Sequence, residues 1–459
     1  MSGLVEDVNL DLIDRGITAD VQTMALDKVF WSHFCINLGP ATWVLGALII
    51  GIGLDFRTGV IAILLGNVLG SLPVGLNAML GPRTGLTQIE ISRFSFGRLG
   101  TRIPSAFNWV CAVGWDAVNN VPSVLGFLAL GALFGIGIPF WVGLTLLVSI
   151  QLVASMYGHH VVQILAKYLC YVLIVVFTIT GVVAVMKGGS FAVVHEAIKP
   201  ATFMLAVSMA AGYTMGFAPF ASDYTRYLPA KTNPRVVFAL SFGGIAIASV
   251  LLELCGMLTA SRLTDLSPAG VIAEIGTLTG PFAPIALVAI SLSAIATNSV
   301  NDNTASYSMI SAGVRIPRHI AAIITTACGF VLAYAGAGKF ATYLANYLFV
   351  LLYWIAPWAG IVLTDWLLFR GDASRTRRWG VGATIFLIVT PVTIVLFSST
   401  EIYTGPIATL LGGTDIGSFV GFFAAALAYA LAAQPDVARN QRERDQVENR
   451  IDFAPTAAE

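Results

Sequence analysis

Twelve runs of about 20 or more mostly apolar residues follow one another along this chain, at 28–53, 58–80, 104–133, 137–157, 161–186, 201–222, 234–260, 281–312, 318–337, 340–368, 378–398 and 404–432. A helix of about 20 residues matches the roughly 30 Å hydrocarbon layer of a bilayer. Barrel strands are shorter and alternate in polarity, so these runs predict helices. They are numbered here as segments one to twelve; three, eight and ten are long enough to require tilt, a kink or projection beyond the bilayer. Hydrophobic residues make up 57% of the 459, and charged residues only 11%. Soluble domains carry roughly 25% charged residues, and no soluble fold of this size could hide so much apolar surface. The composition therefore excludes an ordinary soluble enzyme and a disordered chain, and the zero net charge speaks against a nucleic-acid binder. The expectation is an all-α polytopic membrane protein with short tails.

The ends fit that reading. Residues 1–27 form an N-terminal tail whose Glu6, Asp7, Asp11 and Asp14 make it unlike a cleaved signal peptide. Residues 433–459 form a charged tail read as solvated. With both termini cytoplasmic, twenty of the 25 lysines and arginines fall on the cytoplasmic side. Only Arg57, Lys187, Lys199, Arg262 and Lys339 fall outside, as the positive-inside rule requires. The five cysteines, Cys35, Cys111, Cys170, Cys255 and Cys328, stand singly in apolar runs. They suggest neither a zinc site nor a disulfide framework, and each is expected to be a small buried hydrophobe.

Two segments carry helix breakers near their centres. Segment one reads WSHFCINLGPATWVLGAL, with Gly39-Pro40; segment six reads MAAGYTMGFAPFASDY, with Gly212, Gly216 and Pro219. Proline removes a donor and clashes one turn back, and glycine adds freedom. Segments one and six are matched positions if the first ten form two sets of five. Paired interruptions of this kind are the best sequence pointer to a transporter site near the bilayer midplane.

Polar residues point to the same region. A carboxylate at the bilayer centre costs about 2.5–3.5 kcal/mol on insertion scales, yet Asp116, Glu253 and Asp302 lie well inside segments three, seven and eight. Asp223, Asp365 and Glu401 stand at segment ends, where solvation accounts for them. Trp115 and Asn119 are four apart on one helical face, and Asp116 and Asn120 share the next. A flat ring beside an amide suits a planar, hydrogen-bonding ligand. Thr297, Asn298, Asn301, Asp302 and Asn303 form a polar turn and a half suited to a hard cation or a polar substrate. GALFGIGIP lacks the strand–turn–helix context of a nucleotide loop, and His159-His160 has no third ligand nearby in sequence.

GPRTGLTQIEISRFSFGRLG after segment two, GWDAVNN in segment three, FAPFASDYTRYLP closing segment six and LLYWIAPWAGIVLTDWLL in segment ten together resemble the nucleobase:cation symporter-1 family, in its purine–cytosine permease branch. The resemblance implies twelve helices in a leucine-transporter-like fold. A five-helix repeat at 28–186 is followed by an inverted repeat at 201–368, with two further helices at 378–432. It implies a planar base held between aromatics on segments three and six. Carried over, these are Trp115 and Tyr213, with Phe217 as second choice, while Asn37, Asn119, Asn298 and Asp302 read the base. The family's sodium site maps to the region of His33 and Ile36 with Ser293, Ala296 and Thr297. Ala296 departs from the pattern, standing where sodium users carry a second hydroxyl. With Asp116 and Asp302 close in sequence to the site, sodium and proton coupling both remain open.

The resulting expectation is a monomeric plasma-membrane importer of cytosine or a purine, coupled to Na+ or H+, without a cofactor and without nucleic-acid partners. Hydroxymethylpyrimidine, uracil or an allantoin-like ring is the alternative cargo. An intramembrane enzyme using Asp116 and Asp302 as an acid pair, or a sensor without transport, are the alternatives of other classes.

Overall fold

The structure, a computed structural model, describes residues 16–156, 159–187, 199–314, 316–369, 377–400 and 402–452; at 155–156, 159–167, 300, 303, 318 and 436–452 only the backbone is described. Glu6, Asp7, Asp11, Asp14 and Glu401, and the side chains of His159, His160 and Asn303, lie outside that description.

Helices occupy every predicted segment. Segment one is two helices, Asp27–Ile36 and Pro40–Gly51, bent by 56° across Asn37–Gly39. Segment two is Phe56–Ala78, three is Arg102–Leu133, four is Phe140–Met156 and five is His159–Lys187. Segment six stops as an α-helix at Met215, passes through a 3-10 turn at Ala218–Phe220 and resumes at Ala221–Thr225. Segment seven is Pro234–Ala260, eight is Ala283–Ser311, nine is Arg318–Gly336 and ten is Phe340–Phe369. Segment eleven is Val381–Phe397, and twelve belongs to Gly417–Asp452. Among the described residues, eight helical stretches are long and apolar enough to cross a membrane, and nine if the bent pair counts as one. The difference from twelve has a local cause. Segments nine and ten run together as His319–Phe369, while four and eleven are shorter apolar helices.

The helices form two packed groups. The halves of segment one pack on seven, and segment two packs on six and seven; segment three packs on eight and nine. Segment ten bridges six to twelve. Glycine lets the first group close. A Cβ on Gly46 would stand 1.9 Å from the Glu253 carbonyl oxygen, and one on Gly256 would stand 1.9 Å from that of Trp43. Outward faces are apolar. On segment two, Ile61, Leu64, Leu65, Val68 and Leu72 are exposed at helical spacing, while Ala62, Ile63, Gly66, Asn67 and Gly70 face inward. An apolar band of this extent has lipid, not water, as its solvent.

Two expectations need correction. Cys35 and Cys170 form a disulfide between segments one and five, Cys255 is half-buried and Cys328 is exposed. Single cysteines far apart in sequence carry no pairing signal; packing brought these two together. Asp365 is buried against the Tyr429 hydroxyl at 2.6 Å, and half-buried Asp223 accepts from the Gln88 backbone N–H at 2.8 Å. Segment ends that pack on neighbouring helices are not solvated. The charged C-terminal run is helical to Asp452.

Candidate functional site

The two breaks lie side by side. Asn37, the C-cap of the first half-helix, donates from Nδ2 to Ser249 Oγ of segment seven at 2.6 Å. The Thr42 hydroxyl bridges the Asn37 carbonyl at 2.7 Å and the Tyr213 hydroxyl at 2.9 Å. One short hydroxyl therefore joins the break in segment one to the aromatic that precedes the break in segment six. Proline and glycine free those backbone groups, and the side chains recapture them.

Trp115 stands opposite. Its ring meets Tyr213 at 5.3 Å edge to face, Tyr347 at 5.4 Å edge to face, and Phe217 at 5.5 Å with the planes tilted by 35°. Gly216 makes room for it, since a Cβ there would lie 2.5 Å from Trp115 Cζ2. A base stacked between two rings needs about 7 Å between them, two layers of about 3.5 Å. Trp115 and Tyr213 are packed instead against each other, and Phe217 is the nearer to parallel. Trp115 is 3% exposed, and its Nε1 has no hydrogen-bond partner among the described residues. Neither has Asn37 Oδ1. A buried donor and a buried acceptor without partners are costly, and here both flank the breaks.

The remaining expected residues gather around Gln151, which the sequence reading passed over. Its amide nitrogen lies 3.4 Å from Asp116 Oδ2 and 3.3 Å from Asp302 Oδ2. Its oxygen accepts from Asn120 at 3.3 Å and Asn298 at 3.2 Å. Asn301 donates to Asp116 Oδ1 at 2.8 Å, Thr326 to Asp302 Oδ2 at 3.3 Å, and Asn119 to Asn298 Oδ1 at 2.9 Å. Segments three, four, eight and nine are thus cross-braced through one amide and two carboxyls. Asp302 faces this brace, and Asn119 with Asn298 links it toward Trp115, four residues before Asn119.

The sodium-site candidates are spread more widely. Buried Ser293 donates to the Ile290 carbonyl at 2.6 Å and lies 3.1 Å from Ser123 Oγ; Thr297 donates to its own helix at the Ser293 carbonyl. Ala296 is buried, Ile36 ends its half-helix half-exposed, and His33 turns toward Val29 and Tyr224. Among the described residues no group of three or more His, Cys, Asp or Glu could hold a metal ion.

Tyr347, Thr42, Ser249 and Gln151 were missed. Gln151 was legible as a lone amide within an apolar run. Tyr347 was not, because nothing in sequence separates it from the other aromatics of segment ten.

The sequence profile of permeases for cytosine/purines, uracil, thiamine and allantoin matches residues 23–378, well over half the chain. This protein belongs to that family. The purine-cytosine permease fcyB of Emericella nidulans is 27% identical over 454 residues, covering 93% of this chain and 87% of its own. The vitamin B6 transporter TPN1 of Saccharomyces cerevisiae is 23% identical over 352 residues, covering 72% of this chain and 59% of its own. Among solved structures, Mhp1, a nucleobase-cation-symport-1 family transporter, in a closed conformation with bromovinylhydantoin bound, aligns with a TM-score of 0.73 over 93% of this chain and 96% of its own at 16% identity. An inward-facing form of Mhp1 aligns with a TM-score of 0.72, covering 90% of this chain and 91% of its own at the same identity. The permease is therefore a multi-pass helical membrane protein of the nucleobase:cation symporter-1 family, in its purine–cytosine branch, and a transporter of nucleobase-type compounds, not an enzyme.

Proposed function

We propose that the permease imports cytosine or a purine across the plasma membrane by symport with a cation, with both termini cytoplasmic. On this reading its twelve segments form two inverted sets of five and two added helices, and the chain works as a monomer. The observation that carries the substrate class is Trp115, a buried indole with an unpartnered Nε1, boxed by aromatics at the paired helix breaks. The base displaces Tyr213 or Phe217 from the indole face and stacks there, worth about 1–3 kcal/mol for one base on an aromatic. Oδ1 of Asn37 supplies an unused acceptor for its edge, with Asn119 behind it. Partial pairing of this kind suits a ligand whose own groups complete it.

Alternating access follows if base and cation together favour closure of the two broken segments over the base. One elementary charge moving through 100 mV supplies about 2.3 kcal/mol, close to two decades of accumulation at about 1.4 kcal/mol per decade. One cation per base is therefore enough for scavenging. Sodium at Ile36, Ser293 and Thr297 and a proton on the Asp116–Asp302 pair are the two coupling routes suggested by the sequence.

The similarity to a vitamin B6 transporter favours one second reading, in which the cargo is another flat heteroaromatic ring. Uptake of radiolabelled cytosine into cells expressing the permease separates the two, with adenine, hypoxanthine, uracil, allantoin, hydroxymethylpyrimidine and pyridoxine as competitors. Saturable cytosine uptake blocked by purines supports the first reading. No cytosine uptake, with saturable uptake of labelled pyridoxine or hydroxymethylpyrimidine instead, supports the second, and repeating the assay without sodium and with a protonophore names the ion.

A further inference from the structure

Glu253 belongs to neither coupling route. It sits on segment seven, fully buried, seven residues before the Ala260 end of its helix, or about 10 Å of rise. Asn67 of segment two donates to its Oε2 at 2.7 Å. Its Oε1 has no partner among the described residues, and neither has Asn67 Oδ1. A carboxylate with one amide donor and no cation is far from satisfied in a dry interior; a carboxylic acid there carries no charge to solvate. The site is also tied to the breaks. The Glu253 backbone lies directly against Gly46 in the second half of segment one. Ser249, one turn earlier, holds Asn37, and Asn37 leads through Thr42 to Tyr213.

We propose that Glu253 is the proton-binding group of the transport cycle, protonated when segment one is closed on segment seven and ionised when that seam opens to water. This rests on the symport reading above and names its ion. Loss of the proton leaves a charge that the closed seam cannot solvate, so opening at the Ala260 end, outward in the proposed orientation, accompanies deprotonation. Base contacts at Tyr213 and Asn37 favour the closed arrangement and thereby the protonated acid. Linkage makes the effect mutual: the proton raises base affinity by the factor by which the base raises proton affinity.

The surroundings offer few competing charges. Tyr213 of segment six is the titratable neighbour reached through Thr42 and Asn37. The second half of segment one carries no titratable side chain. Its first half brings Asp27, Lys28 and buried His33, the last beside Gly244, nine residues from Glu253. Segment two brings only exposed Arg57 at its far start. Among the described side chains, segment five brings Cys170, which is in the disulfide, exposed Tyr168 and Tyr171, and Lys187 at its end. The helix Pro268–Thr279 brings half-buried Glu274, and segment seven itself has Cys255 on another face, against Gly181.

Equilibrium binding of radiolabelled cytosine to the purified full chain in liposomes tests this across pH 5.5 to 8.5, a range of about three decades in proton activity. In the wild type, affinity is expected to fall up to about tenfold per pH unit above the titration point, the limit for one linked proton. Glu253→Gln keeps a neutral hydrogen-bonding side chain and is expected to bind cytosine with no pH dependence. It should still exchange internal for external base, while losing accumulation driven by a proton gradient. Wild-type pH dependence in Glu253→Gln, or its loss in Asp116→Asn with retention in Glu253→Gln, overturns the proposal. If the wild type binds none of the bases, the symport reading falls, and the acid is judged without a ligand. A carboxylic-acid band in the infrared difference between low and high pH that vanishes in Glu253→Gln supports the proton site; an unchanged spectrum in that variant overturns it.

Discussion

Two groups of polar side chains are buried among the apolar helices, and they are completed to different degrees. The group around Gln151 ties Asp116, Asn120, Asn298 and Asp302 together across segments three, four and eight through one shared amide, leaving Asn120 Oδ1 without a partner among the described residues. The group at the breaks of segments one and six leaves Trp115 Nε1, Asn37 Oδ1 and Glu253 Oε1 without partners among the described residues. In an apolar interior each open polar atom costs stability. A fold keeps such atoms where a ligand or a proton completes them, and closes its networks where it needs a rigid frame. The first group shares one central partner and the second has none, and substitutions in each tell which of them holds the base.

The largest expected effect tests the seam beside the site. Gly46→Val places side-chain carbon where the Glu253 carbonyl already stands, 1.9 Å from an added Cβ. Backbone cannot yield as a side-chain tip does, so a loss of about 3 kcal/mol or more is expected. It appears as absence of a monodisperse peak in fluorescence-detected size exclusion. A folded, transporting Gly46→Val would show that segments one and seven do not close as described.

Trp115→Ala comes next and should separate site from brace. Loss of stacking, about 1–3 kcal/mol, corresponds to roughly 5- to 150-fold weaker base binding at about 1.4 kcal/mol per decade, with the protein still folded. Near-normal uptake would remove the aromatic box from the mechanism. Gln151→Ala should do the reverse. Its neighbours lose their shared partner, and a thermal-stability assay should record a loss of about 1–3 kcal/mol, with base affinity per folded molecule unchanged. If instead affinity collapses at constant stability, the brace is part of the site.

The smallest effect lies outside the membrane. Asp55 caps segment two, accepting from Thr58 Oγ1 at 2.7 Å and from the backbone N–H groups of Arg57 and Thr58. The Thr58 hydroxyl, then those amides, hold its carboxyl below the usual aspartate range. Its stabilisation is present above the ordinary aspartate titration and fades as acid protonates the folded state. Asp55→Ala should cost about 1 kcal/mol at neutral pH and leave transport unaltered; thermal melts at neutral and acidic pH check both points.

Much of this was legible in the chain. The runs of apolar residues mark where helices form because the bilayer demands length and internal hydrogen bonding. Gly39-Pro40 and Gly216 with Pro219 mark where two of them break, because those residues act on their own backbone. Trp115, Asp116 and Asn298 stood out because polar and amphipathic groups are costly in mid-membrane. These are local effects, set by a residue and its near neighbours.

Pairings between segments were not local, and only tertiary structure decided them. Asp302 stands in a polar turn of segment eight, and packing brings it Gln151 of segment four and Thr326 of segment nine. Glu253 reads as isolated, and packing gives it Asn67, 186 positions away, and the backbone facing Gly46. Cys35 and Cys170 are 135 positions apart and bonded. Helix periodicity fixes which face a residue lies on, but not which helix that face meets, because that depends on how all the segments share a finite volume.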